Sequence, residues 1–361
     1  MRSNVQKDLS PSPFATPAGL KHIRCRRRNR LVLAIVAAII VVGGVVSTVG
    51  WYEWALRPLD AKNSNHVRLT VESGAQPSDI SKQLKNAHII RSAYAFQIYT
   101  RLSGQENKLQ AGTYAFAANQ SVRDIAAHLA SGKTDEFSIT ILPGQTLKDI
   151  KTTLQGHGYA ASEIESAYAA SYSNALVQSR PAGASLEGFF YPDTYNVLSD
   201  ETLKTIFGRI FDHYSDVITR NDLEAGFAKH GLNPYQGIIL ASIVQREVSS
   251  PDDQSKVAGV FYNRLDSNTP LGSDVTFLYG ASLLGVKGTP TLDSPYNLRI
   301  NKGLTPTPIS NPQLSALKAV ANPASTDYLF FLSGDDGITY FAKTDAQHEQ
   351  NIKQYCKIKC Q

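Results

Sequence analysis

Cysteine and methionine are scarce. Three Cys in 361 residues exclude a disulfide-dense scaffold, and one Met beside 17 Pro argues against a simple helical bundle. No GxGxxG or GxxxxGK[ST] stretch occurs, so nucleotide chemistry has no visible handle. There is no G-x-S-x-G elbow, and none of the eight His stands in an HExxH-type pair. No cofactor or metal is implied. Charge of one sign is also missing from most of the chain. Residues 1–30 carry eight Lys and Arg against Asp8 alone, which leaves 28 basic and 30 acidic groups beyond them. A near-neutral body does not call for a nucleic acid or another polyanion.

What is present begins with one apolar run. Leu31–Val49 holds no charged residue, and extended to Trp51 it reaches the roughly 20 residues that a bilayer core asks of a helix. Trp51, Tyr52 and Trp54 follow, where an interfacial aromatic belt belongs. Six of residues 21–30 are Lys or Arg, which predicts a cytoplasmic N-terminus. The expected order is a basic, disordered cytoplasmic tail over 1–30, a transmembrane helix over 31–51 and a polar stalk over 52–66. About 310 residues then lie outside the cytoplasmic membrane.

The exported part reads as α+β. Val67, Leu69 and Val71 alternate with polar residues, which predicts a strand, and 112–116 reads likewise. Helices are expected over 79–86, 92–103 and 122–131, the last capped by Ser121. An echo appears 70 residues on: Leu69, Val71, Gly74, Asp79, Ile80 and Leu84 correspond to Ile139, Ile141, Gly144, Asp149, Ile150 and Leu154. Further helices are expected over 202–214, 221–230, 237–248, 257–265 and 314–321, with a hairpin over 328–342. Residues 270–312 read as loop. Cys356 and Cys360 sit in a C-terminal tail over 351–361, either bonded locally or free.

Three clusters can carry chemistry. In Leu186-Glu187-Gly188-Phe189-Phe190-Tyr191-Pro192-Asp193-Thr194-Tyr195, two carboxylates lie among aromatic rings. Rings such as Tyr191 and Tyr195 suit the C–H faces of sugars. A carboxyl among apolar neighbours has its charged form disfavoured, which a general acid near neutral pH needs. In Ser242–Glu247, helical spacing places Ile243 and Glu247 on one face, so Glu247 can point from the core boundary into a cleft. The third cluster is dispersed: Asn263 and Arg264, Ser273 and Asp274, Tyr296 and Asn297, and Gly303–Pro306 offer groups suited to a polar polymer. Aromatics filling a core, a solvated helix end and ordinary loops would explain the same residues without function.

These segments together resemble the endolytic murein transglycosylase family (the MltG, or YceG-like, proteins). The resemblance rests on LEGFFYPDTY at 186–195, LASIVQREV at 240–248, VFYNRL at 260–265, LGSDVTFLYG at 271–280, SPYN at 294–297, GLTPTPISNP at 303–312 and LFFLSGDDGITYF at 329–341. It implies a LysM-like subdomain over 67–134 and a catalytic domain over 135–350. It also implies cleavage between N-acetylmuramic acid and N-acetylglucosamine within peptidoglycan strands, leaving 1,6-anhydro ends. The family's catalytic glutamate falls on Glu187. Glu247 and Asp193 are the candidates for a second acid; of the two, Glu247 is expected to have an orienting or polarising role and Asp193 to fix its own loop. Penicillin-binding proteins are the implied partners. The chain departs from the family pattern at Gln245 (often acidic), Gly272 (commonly Gln), GLTPTPI (usually GLPPGPI) and Thr339 (usually His). A hydrolytic muramidase and a non-catalytic glycan-binding scaffold are the rival readings.

Overall fold

The computed structural model describes residues 19–133 and 135–358, with side chains from Arg30 onward. Residues 1–18 of the expected tail and Cys360 lie outside the described residues. One long helix, α1 (Gly19–Leu56), opens the described chain, so the expected disorder of 19–30 is replaced by helix. Within it Arg30–Leu56 is long and apolar enough to cross a membrane.

The stalk expectation also changes. The helix continues past the aromatic belt to Leu56, and Ala55 and Leu56 are buried in the core of the next unit. Arg91 donates to the carbonyls of Pro58 and Leu59 and lies over the Trp54 ring. Arg123 pairs with Glu53 at 2.8 Å. The apolar residues at the end of α1 find a protein surface to bury against, which outweighs a free, solvated linker.

That unit runs β1 (His66–Val71), α2 (Pro77–Asn86), α3 (Ala93–Leu102), β2 (Gly112–Ala117) and α4 (Val122–Ser131). β1 and β2 pair antiparallel, with Leu69 opposite Tyr114. Ser121 and Asp124 close a capping box at the head of α4, satisfying amides that a helix start leaves free. Leu69, Val71, Ile80, Leu84, Phe96, Phe116, Ile125 and Leu129 form its own core.

The echo is structural. β3 (Glu136–Thr140), α5 (Leu147–Gly156), α6 (Ala161–Ala169), α7 (Ala175–Gln178) and β4 (Thr194–Leu198) follow, and β3 pairs antiparallel with β4. Each corresponding apolar pair, from Leu69 and Ile139 to Leu84 and Leu154, is buried. The copies differ before their closing strand. The first has residues 103–111 there, whereas the second inserts 179–193, which holds Glu187.

The two copies are locked together. Arg68 on β1 donates to the Ser199 carbonyl at 2.7 Å, pairs with Glu163 at 3.0 Å and covers the Tyr159 ring. Arg68→Ala strands the Ser199 carbonyl at this boundary. The expected loss is about 2 kcal/mol, read as a lowered thermal midpoint of the full chain.

The remainder is helical around one core. α8 (Leu203–Arg220), α9 (Leu223–Lys229), α10 (Pro234–Glu247) and α11 (Pro251–Asp266) follow, then α12 (Asp274–Leu284) and α13 (Leu314–Ala321). α10 is buried nearly all round, from Ile238 to Val244, and packs on α9, α11 and α13. A hairpin of β5 (Phe330–Ser333) and β6 (Thr339–Ala342) and a last helix α14 (Asp345–Tyr355) close the chain. Two expectations are corrected. α12 lies inside the stretch read as loop, and α14 runs through the first half of the expected tail. Cys356 is buried and disulfide-bonded.

Candidate active site

Glu187 sits on the inserted segment between α7 and β4. Leu186, Phe189 and Phe190 around it are fully buried, so the segment is pinned by its apolar residues while one carboxyl is carried with them. Glu187 itself is only 3% exposed. Gly188 adopts φ +86°, and a Cβ there would lie 2.4 Å from the Pro308 Cβ. Only glycine lets the chain turn here while passing against that proline.

A second anchor is Asn311. Its Oδ1 accepts from the Phe190 N–H at 2.8 Å, and its Nδ2 donates to the Gln145 carbonyl at 2.8 Å. The Glu187 segment is thereby tied to the loop that enters α5. Thr146 and Asp149 cap α5 with a second capping box, and the free N–H of Leu147 then points at Glu187, 3.1 Å from both carboxyl oxygens. Tyr168 holds the other side of Leu147 by donating to its carbonyl at 3.1 Å. From α12 the Tyr279 hydroxyl donates to Glu187 Oε2 at 3.0 Å.

Burial pushes the Glu187 carboxyl up to about 7. The donors from Leu147, Tyr279 and Gly188 pull it back only in part, and Asp149 adds a small upward push. The group is therefore poised between acid and base near neutral pH.

Glu247 ends α10 and accepts from the Ser273 hydroxyl at 2.5 Å. The residue keeps some surface, but its carboxyl end lies deep among protein atoms, and this burial raises it to about 7. Ser273 offsets the rise first, Asp274 adds to it, and Arg299 and Arg246 oppose it. Ser273 stands at the residue before α12, its hydroxyl turned to Glu247 rather than to the helix amides, and Tyr279 lies six residues on, about 9 Å along a helix. One short helix thus reaches both acids.

The other predicted site residues divide. Tyr296 packs edge-on against Tyr279, with ring centroids 5.2 Å apart. Tyr191 and Asp193 line a concavity of about 480 Å³ with Pro143, Gln313 and Leu314. The buried carboxyl and its donors mark the candidate site. Asp193 accepts from the Thr194 N–H at 2.7 Å and meets His213 at 3.1 Å. Tyr195 donates to the Tyr191 carbonyl, and Asp274 pairs with Arg299.

Three predicted contacts are occupied by the fold. Asn263 donates to the carbonyls of Thr326 and Tyr328. Arg264 donates to those of Leu329, Pro270 and Leu271. Asn297 is fully buried and donates to those of Pro290 and Leu292. Sequence reasoning missed Tyr279 and the Leu147 amide. The signal for Tyr279 was a Ser-Asp helix start followed by ten uncharged, mostly apolar residues and a Gly stop over 273–285. An amide donor leaves no such mark. Among the described residues no three His, Cys, Asp or Glu side chains converge as metal ligands.

The chain has known relatives. The endolytic murein transglycosylase of Streptococcus pneumoniae D39 is 27% identical over 91% of this chain, which spans 66% of that protein's length. The endolytic murein transglycosylase of Bacillus subtilis 168 is 29% identical over 84% of this chain and 89% of its own. The crystal structure of a YceG-like protein of Listeria monocytogenes superposes with a TM-score of 0.53 at 27% identity, covering 79% of this chain and 99% of that one. The model of the YceG-like family matches residues 69–354, nearly all of the chain that follows α1, and the chain belongs to that family.

Proposed function

We propose that this chain is a membrane-anchored endolytic murein transglycosylase that cleaves between N-acetylmuramic acid and N-acetylglucosamine within glycan strands. The observation that carries the reading is the Glu187 carboxyl, desolvated to about 7 and held by the Leu147 amide and the Tyr279 hydroxyl. Protonated Glu187 gives its proton to the glycosidic oxygen, which leaves with the bonding pair from C1. The resulting carboxylate takes the proton of the muramic acid C6 hydroxyl. That oxygen closes on C1, and Glu187 ends as it began. No water is consumed, and one carboxyl serves both steps.

Glu247 is assigned the orienting role. A carboxylate near the reacting sugar stabilises positive charge developing at C1. Tyr191, Asp193 and Tyr296 are the groups assigned to glycan contact. The strand–helix–helix–strand order of β1–α2–α3–β2 supports the LysM-like reading of the first unit as an accessory glycan-binding module. The arginine block before α1 supports a cytoplasmic N-terminus, with the active domain on the wall side of the cytoplasmic membrane. Penicillin-binding proteins are the proposed partners.

The test is digestion of purified peptidoglycan by the detergent-solubilised full chain, with the fragments weighed by mass spectrometry. The expected products are internal fragments whose muramic ends are one water lighter than hydrolysed ends. Reducing ends would make the protein a muramidase. Glycan binding without any cleavage would make it a scaffold.

A further inference from the structure

The donors around Glu187 are not symmetric. The Leu147 N–H is 3.1 Å from both oxygens, whereas the Tyr279 hydroxyl reaches Oε2 alone, at 3.0 Å. In a neutral carboxylic acid one oxygen carries the proton and the other accepts hydrogen bonds. Oε2 is already an acceptor, so the proton belongs on Oε1. Tyr279 is itself braced. Its ring packs on Tyr296, whose hydroxyl shares a hydrogen bond with Thr307 Oγ1 at 2.9 Å. Thr307 thus sets a third hydroxyl beside the two phenols.

We propose that Tyr279 is a positioning residue that directs the proton of Glu187 to Oε1 and then holds the carboxylate left after that proton is given. The proposal rests on reading Glu187 as the acid and base of the reaction. A hydrogen bond to an ionised acceptor is roughly twice as strong as one to a neutral acceptor, so the Tyr279 bond tightens as the proton departs. It slackens when the C6 hydroxyl proton returns. Tyr279 keeps its own proton throughout. Burial raises its phenol, and the neighbouring Glu187 adds to the rise, so it stays a neutral donor. No bond of Tyr279 forms or breaks in either step.

The experiment compares pH–rate profiles of the full chain in detergent for wild type, Y279F and E187Q. Y279F keeps the ring on Tyr296 and removes only the donor. Expected is a fall in kcat of about 10–100-fold with KM within about twofold. The alkaline limb of kcat/KM should also move up by about one pH unit, because the carboxylate loses a donor that favours it. Fluorotyrosine at position 279 is a stronger donor and should move the limb down. A Y279F limb that stays in place, with or without a change in KM, overturns the proposal, as does a fluorotyrosine limb that stays or moves up. E187Q separates the two layers. Substantial activity in E187Q refutes the acid reading itself, whereas an inactive E187Q beside an unmoved Y279F limb refutes only the role of Tyr279.

Discussion

Glu187→Gln is expected to lower glycan cleavage by about 10²–10⁴-fold, the usual worth of a general acid–base group. Gln has the same shape and cannot carry a transferable proton. The same substitution has a second, opposite effect on stability. The folded carboxyl sits at about 7, against a model value of 4.5, so the folded state favours the protonated form. Stability from this group is therefore fully present below about 4.5 and is lost as pH rises through about 7. Gln stays neutral at every pH. The variant should thus be more stable than wild type at pH 8, by up to about 3 kcal/mol, and nearly equal to it at pH 4. Thermal unfolding of both full chains at the two pH values reads this. An equal difference at both would mean that the carboxyl is solvated in the folded protein. Lost activity together with gained stability is the pattern expected of a site that spends stability on chemistry.

Gly188→Ala should be among the most damaging single-methyl changes in the chain. The backbone there is left-handed at φ +86°, which costs a non-glycine residue about 1–2 kcal/mol. The new Cβ would also lie 2.4 Å from the Pro308 Cβ and 2.6 Å from its Cγ. Proline on a buried segment cannot rotate away, so the Glu187 loop must move instead. The expected destabilisation is about 3 kcal/mol or more, and a shift near 1 Å at the carboxyl lowers cleavage about 10²-fold. Gly183→Ala is the matched control. It shares a positive φ, +80°, but has nothing within 4 Å of the added methyl, so backbone strain alone remains. Thermal midpoints and digestion rates of the two variants separate strain from collision. Similar losses at both positions would show that Pro308 does not confine the Glu187 loop.

The anchoring of α1 bears on both results. Because Ala55 and Leu56 are buried with the core of the first unit, and Arg68 ties that unit to the second, α1 and the Glu187 segment are joined by packed elements. A variant that loosens the Arg68 contacts leaves Glu187 and its donors untouched, so its effect should appear in stability before it appears in cleavage.

Much of this protein was legible in the sequence because the signals are local. The apolar run of 31–49, the alternation of 67–71, the Ser121 cap and the Leu314–Ala321 helix each depend on residues a few positions apart. The burial of α10 was likewise visible in a stretch that is apolar from Gly237 to Val244 but for Ser242. The 70-residue echo was legible too, since matched apolar positions fill matched cores. The segment that carries Glu187 stood out because a carboxyl among aromatic residues is chemically unusual.

Tertiary structure alone decided what surrounds that carboxyl. Its donors come from 40 and 92 positions away, and no local pattern encodes a contact at that distance. Packing also decided which candidates were free. Asn263, Arg264 and Asn297 looked like groups for a polar ligand, yet buried loops present backbone carbonyls that need donors, and these side chains supply them. The end of α1 and the start of the expected stalk followed the same rule. Composition marked residues 52–56 as exposed, and a neighbouring apolar surface buried two of them. The sequence determines which groups can act, whereas the fold determines which of them remain unspent and what each one faces.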